Sequence, residues 1–157
     1  MTQESPRWLV SLLFHSRFLF VLASDFFLFF TARGGQLETL QWLRPEIEDQ
    51  LIKQEEDPEY YEETIPEIDL DLFNKHQSIA ACEGGQWEIM EWLWSGGDIY
   101  DSAACMYAAA GNGHLETLKW LRSKGCPWSA STWSSAAKGG HWEILRWLQS
   151  EGCPWDK

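Results

Sequence analysis

From Leu115 onward the apolar side chains Leu115, Leu118 and Leu121 recur at i, i+3 and i+6, while Glu116, Lys119 and Ser123 take the opposite side. That spacing predicts a helix with one buried face. Thr117 and Trp120 widen the face beyond half the circumference, so the helix is expected to touch both its own partner and its neighbours. The same string occurs four times without gaps: GQLETLQWLR from Gly35, GQWEIMEWLW from Gly85, GHLETLKWLR from Gly113 and GHWEILRWLQ from Gly140. These glycines stand 50, 28 and 27 residues apart, and units 104–130 and 131–157 agree at 13 of 27 positions.

Each unit reads as two helices. The first carries small residues ahead of the glycine: Ala80 and Ala81, Ala109 and Ala110, Ala136 and Ala137, with Thr31 and Ala32 in the first unit. Small side chains let helices approach closely. The glycine then closes the helix in a tight turn that a residue with a Cβ resists. The second helix carries Glu38, Glu88, Glu116 or Glu143 in its first turn, where a carboxylate meets the positive end of the helix dipole. It is expected to stop at Gly97, Gly125 or Gly152, with Pro127 or Pro154 preventing its resumption. In the first unit Arg44-Pro45 is expected to end the helix before any second glycine. The serine cluster around Ser129 and Ser131 is expected to start a helix rather than attack a carbonyl.

The pattern divides the chain into an apolar segment 1–25, a degenerate first repeat 26–44, an acidic insertion 45–75, and repeats 76–103, 104–130 and 131–157. The insertion is inferred because the first spacing exceeds one period by 23 residues and no further repeat string lies inside it.

These units resemble the ankyrin repeat. Ala136-Ala137-Lys138-Gly139-Gly140-His141-Trp142-Glu143 is similar to the family's Ala-Ala-x-x-Gly-His-Leu-Glu string. Gly152-Cys153-Pro154-Trp155-Asp156 stands where the family has Gly-Ala-Asp-Val-Asn, and Gly97-Asp98-Ile99-Tyr100-Asp101 is nearer the ordinary form. The resemblance covers 26–44 and 76–157. It implies an all-α, ankyrin-like helix–turn–helix solenoid of about four repeats, with the acidic insertion after the first. Ankyrin units run to about 33 residues, and the residues missing here fall where that family builds its β-hairpin finger. Finger-mediated binding is therefore not implied.

Charge changes the picture in one place. Residues 45–71 hold twelve acidic side chains and one base, which accounts for nearly all of the net charge of −12. A field of that sign repels phosphate, so nucleic acid is not an expected partner, while a basic protein could dock there. The simpler reading is a solvated loop. Between Trp8 and Phe30, 17 of 23 residues are apolar, interrupted by His15, Arg17, Ser24 and Asp25. Arg17 and Asp25 would be costly inside a membrane span. A capping helix on the stack is the preferred reading, a secretory signal or anchor the alternative.

His114 and His141 with Cys126 and Cys153 invite a zinc reading, but repeat-equivalent residues lie about 8–10 Å apart, one helix-packing distance, too far to share an ion. That spacing also exceeds disulfide reach. No metal, cofactor or catalytic residue is expected, because no phosphate loop, nucleophile elbow or dinucleotide fingerprint occurs. Buried thiols suit a reducing compartment, so the expected location is cytoplasmic.

Eleven tryptophans fall into sets. Trp42, Trp92, Trp120 and Trp147 on second helices are expected in the core, while Trp128 and Trp155 either seal the shortened loop or form an aromatic ridge. The expected function is a non-enzymatic protein–protein interaction scaffold. The alternative is a structural subunit whose apolar ends other chains cover. The resemblance implies partner contacts at first-helix and loop positions Glu83, Ser102, Asn112, Ser129, Ser135 and Lys138, joined by Trp128, Trp142 and Trp155. At the last repeat, an exposed apolar patch of Trp133, Trp142 and Ile144 is expected, open to a partner or to self-association.

Overall fold

The computed structural model describes residues 28–56, 70–97 and 102–155, although side chains are not described at every position of 46–56 and 70–73. The apolar segment 1–25 and most of the acidic insertion lie outside them. All regular structure among the described residues is helical. Helix α1 covers 28–33. It is followed by α2 (Leu37–Glu56), α3 (Leu70–Glu83), α4 (Trp87–Ser95), α5 (Ser102–Asn112), α6 (Leu115–Ser123), α7 (Ala130–Gly139) and α8 (Trp142–Ser150). No helix among the described residues is long and apolar enough to cross a membrane.

One turn recurs between the two helices of each unit. Gly35, Gly85, Gly113 and Gly140 take φ of 77°, 74°, 86° and 74°, left-handed values that cost a side-chain-bearing residue dearly. The next residue then turns its N–H back onto the preceding helix. Gln36, Gln86, His114 and His141 donate to the carbonyls of Thr31, Ala81, Ala109 and Ala136 at 2.9–3.0 Å. This closure satisfies carbonyls that a helix end otherwise leaves unpaired. The second helices end similarly at Gly125 and Gly152, where Cys126 and Cys153 donate to Leu121 and Leu148. Helix α7 opens on Ser129, whose side chain accepts from Ser131 N–H while Thr132 Oγ1 accepts from the Ser129 N–H.

First helices pack against one another, α3 on α5 and α5 on α7, and each of these three also packs on the second helix of its own unit. The core runs along this contact through Ala81, Cys82, Met106, Ala109, Ala110 and Ala136, and then through Ile89, Leu93, Leu118, Leu121, Ile144 and Leu148 of the second helices. Four free cysteines are buried within it.

Several features differ from the sequence expectation. Helix α2 does not end at Arg44-Pro45: it runs through Pro45 to Glu56. Proline removes one backbone bond there, and the Arg44 Nε–Glu48 Oε1 pair at 2.9 Å clasps the turns on either side of it. Helix α3 starts at Leu70, so it reaches back into the segment assigned to the insertion. Aligned on the left-handed glycine, the small pair of the second unit is Ala81 and Cys82, one residue later than the Ala80–Ala81 reading. The second-helix tryptophans are not core: Trp42 is 43% exposed, and Trp92, Trp120 and Trp147 are half-buried. Ile144, expected on an open patch, is 1% exposed, because it occupies the inward position filled by Ile89 and Thr117 in the units before it.

Candidate binding face

Two columns of contacts join each unit to the one before it. The first is a polar staple. His114 donates from Nε2 to the carbonyl of Glu83 at 2.8 Å, and His141 from Nε2 to the carbonyl of Gly111 at 3.0 Å. A carbonyl can only accept, so both rings carry their proton on Nε2. Gln86 does the same with its carboxamide, donating to the Arg33 carbonyl at 3.3 Å. In each case the donor follows its own unit's left-handed glycine by one residue, and the acceptor lies two residues before the previous unit's glycine.

The staple explains why those glycines must be small as well as left-handed. A Cβ on Gly113 would fall 2.7 Å from the His141 ring, on Gly85 2.5 Å from the His114 ring, and on Gly35 2.6 Å from the Gln86 carboxamide. A Cβ on Gly84 or Gly139 would collide with the carbonyl of Arg33 or Gly111. The sequence raised these histidines only as metal ligands. The readable signal was that histidine and glutamine alternate at one register position, and both present an N–H donor at similar reach. Among the described residues no cluster of His, Cys, Asp or Glu could hold a metal ion.

The second column is aromatic. In the second, third and fourth units the tryptophan seven residues after the left-handed glycine meets the preceding unit. Arg44 lies over Trp92 at 5.4 Å, Trp94 meets Trp120 edge-on at 5.8 Å, and Trp128 meets Trp147 edge-on at 5.7 Å. Arg122 stacks on Trp128 at 3.9 Å. Such contacts contribute about 0.5–1.5 kcal/mol each beyond the area they bury.

Both columns run out at the last unit. Beyond its chain neighbours, nothing lies within 4 Å of where a Gly140 Cβ would stand. The acceptor equivalent to Glu83 and Gly111 is Lys138, on an exposed residue. Trp155, equivalent to Trp128, is 74% exposed. Between these points lies a groove of 810 Å³ walled by Trp133, Ala137, Leu145, Gln149, Cys153 and Trp155. One unit earlier the matching residues Met106, Ala110 and Leu118 are fully buried. The groove is thus the surface on which one unit receives the next. Trp133 is held in its wall by donating from Nε1 to the Cys153 carbonyl at 3.2 Å.

The residues named from the sequence separate into two groups. Glu83 pairs with Arg33 at 3.1 Å and gives its carbonyl to His114, so it serves an internal junction. Ser102 is half-buried, and Ser129 caps α7 with the Tyr107 hydroxyl 3.5 Å away. Trp128 seals the junction between the last two units. Asn112 is exposed but spends its amide on the Ala108 carbonyl at 2.8 Å, and Ser135 is half-buried. Lys138 and Trp155 lie at the open end. Trp142 is also 74% exposed but is not part of the groove wall, so with Ile144 buried the expected patch is replaced by this groove.

Three of the buried thiols are held towards their protonated form. A hydrogen bond with Cys105, and then burial, push the Cys82 thiol well above its ordinary pKa. Burial raises Cys126 and Cys153 too, with the Trp133 contact partly offsetting it at Cys153. Thiols held protonated are poor nucleophiles and poor metal ligands. Compared with known proteins, the chain matches no family model, no curated protein and no solved structure.

Proposed function

We propose that this chain is a non-enzymatic protein-binding module, built as a short ankyrin-like solenoid of helix–turn–helix units. The observation that carries the reading is the groove on the last unit, whose Trp133, Ala137 and Leu145 stand at positions that are fully buried one unit earlier. An exposed apolar surface whose counterpart one unit earlier is covered by a helix pair supports a protein partner. Its aromatic rim, Trp133 and Trp155, is of the type that dominates binding energies.

The test is capture of proteins by the immobilised chain, with variants on and off the groove. The double variant Leu145→Asp/Trp155→Ser is expected to lose the bound proteins, and Glu91→Lys on the exposed side of α4 to keep them. Equal capture by all three would remove the groove as the binding surface.

A further inference from the structure

The first unit displays, unused, the counterparts of the two groups that join each later unit to the one before it. Gln36 holds the staple position, one residue after Gly35. It is exposed, and its side chain makes no hydrogen bond among the described residues. Trp42 holds the aromatic position, seven residues after Gly35, and is 43% exposed. In every later unit these positions are engaged, by Gln86, His114 and His141 and by Trp92, Trp120 and Trp147. At the far end, Gly140, the Lys138 carbonyl and Trp155 await such a pair. Ala137, equivalent to the fully buried Ala110, is exposed there and small enough for a helix to approach.

We propose that the last unit of one copy receives the first unit of a second copy, head to tail. Gln36 of the incoming copy donates to the Lys138 carbonyl and covers Gly140, and its Trp42 meets Trp155 edge-on. The contact repeats the junction between the last two units, where His141 takes the Gly111 carbonyl and Trp147 meets Trp128. It is heterologous, pairing two different surfaces, so it leaves a free head and a free tail on every assembly and adds copies without closing. This rests on the binding-module reading above and names its partner.

The test is sedimentation velocity on the full chain over a wide concentration range, with two blocked variants checked for unchanged circular dichroism. Ala137→Arg places a charge on the tail at a position exposed in the single chain. Gln36→Glu/Trp42→Ser removes the donor and the ring from the head. The wild type is expected to pass from single chains through dimers to larger species without a plateau. Each blocked variant alone is expected to remain a single chain, with Ala137→Arg weakening association at least about a hundredfold by burying an unpaired charge. An equimolar mixture of the two has one good head and one good tail, so it is expected to stop at a one-to-one dimer.

A wild type that stays single throughout overturns the proposal, and needs no variant to fold. So does a head-blocked variant that still dimerises, which would mean tail against tail. If the wild type stays single while Leu145→Asp/Trp155→Ser still abolishes capture of another protein, the second copy is wrong and the binding module stands. If that substitution also changes nothing, both fall.

Discussion

The junction between the third and fourth units and the open face of the fourth present the same positions in two surroundings. Leu118 is fully buried and its counterpart Leu145 is half-buried; Ala110 is fully buried and Ala137 is exposed. Trp128 is gripped between Trp147 and Arg122, whereas Trp155 is 74% exposed. In each of these pairs the residue type does not change. Burial here is therefore a property of the neighbouring unit rather than of the residue, and the stability of such a chain resides in its junctions as much as in its units.

The largest test of this contrast uses the leucines. Leu118→Ala is expected to destabilise by about 3 kcal/mol, as for a fully buried leucine, and Leu145→Ala by about 1 kcal/mol. Urea melts of both variants measure the difference, and equal losses would mean that the open face is covered in solution. Next come the turn glycines. Gly113→Ala carries both the left-handed strain and the encounter with the His141 ring, whereas Gly140→Ala carries the strain alone. Losses of about 2 and about 1 kcal/mol are expected from thermal melts, the common part being the backbone cost. If Gly113→Ala loses no more than Gly140→Ala, the staple does not confine its glycine.

A third comparison concerns Thr117 and Ile144, which hold the same inward position. Thr117 is 1% exposed, and its Oγ1 has no hydrogen-bond partner. Thr117→Val keeps the shape and removes a desolvated hydroxyl, so a gain of about 1 kcal/mol is expected. A loss in the same denaturation assay would show that the hydroxyl finds a partner in solution. The smallest effect is at Trp155. Trp155→Ser is expected to change the single chain's stability by less than about 0.5 kcal/mol, as for an exposed position. A larger loss would place that ring inside the fold.

Much of the fold was legible because its signals are local. The turn glycines, the small residues before them, the helix period from Leu115 and the serine cap at Ser129 all act within a few residues of one another. What the sequence hid depends on packing between units. Proline reads as a stop, yet α2 passes Pro45 with Arg44 and Glu48 paired across it. Tryptophan reads as core, yet Trp92, Trp120 and Trp147 lie at junction edges, where a neighbour that no single repeat reveals covers part of each ring. Ile144 stands on the expected patch by sequence, yet its position faces inward, as Ile89 and Thr117 do in the units before it. The groove could be inferred only once the register showed which positions of a unit its successor covers.

The staple's acceptor is a main-chain carbonyl, and the residues that own it are Arg33, Glu83 and Gly111: a cation, an anion and no side chain at all. The residue that owns the acceptor is consequently free to vary, while the donor remains a histidine or glutamine and the glycines it packs on remain small. Mutational drift at the acceptor position can recolour the outer surface from basic to acidic without loosening the array. A unit copied, deleted or moved within the gene would bring its own donor and find a usable acceptor wherever it landed, so an architecture of this kind can change its length and its surface independently.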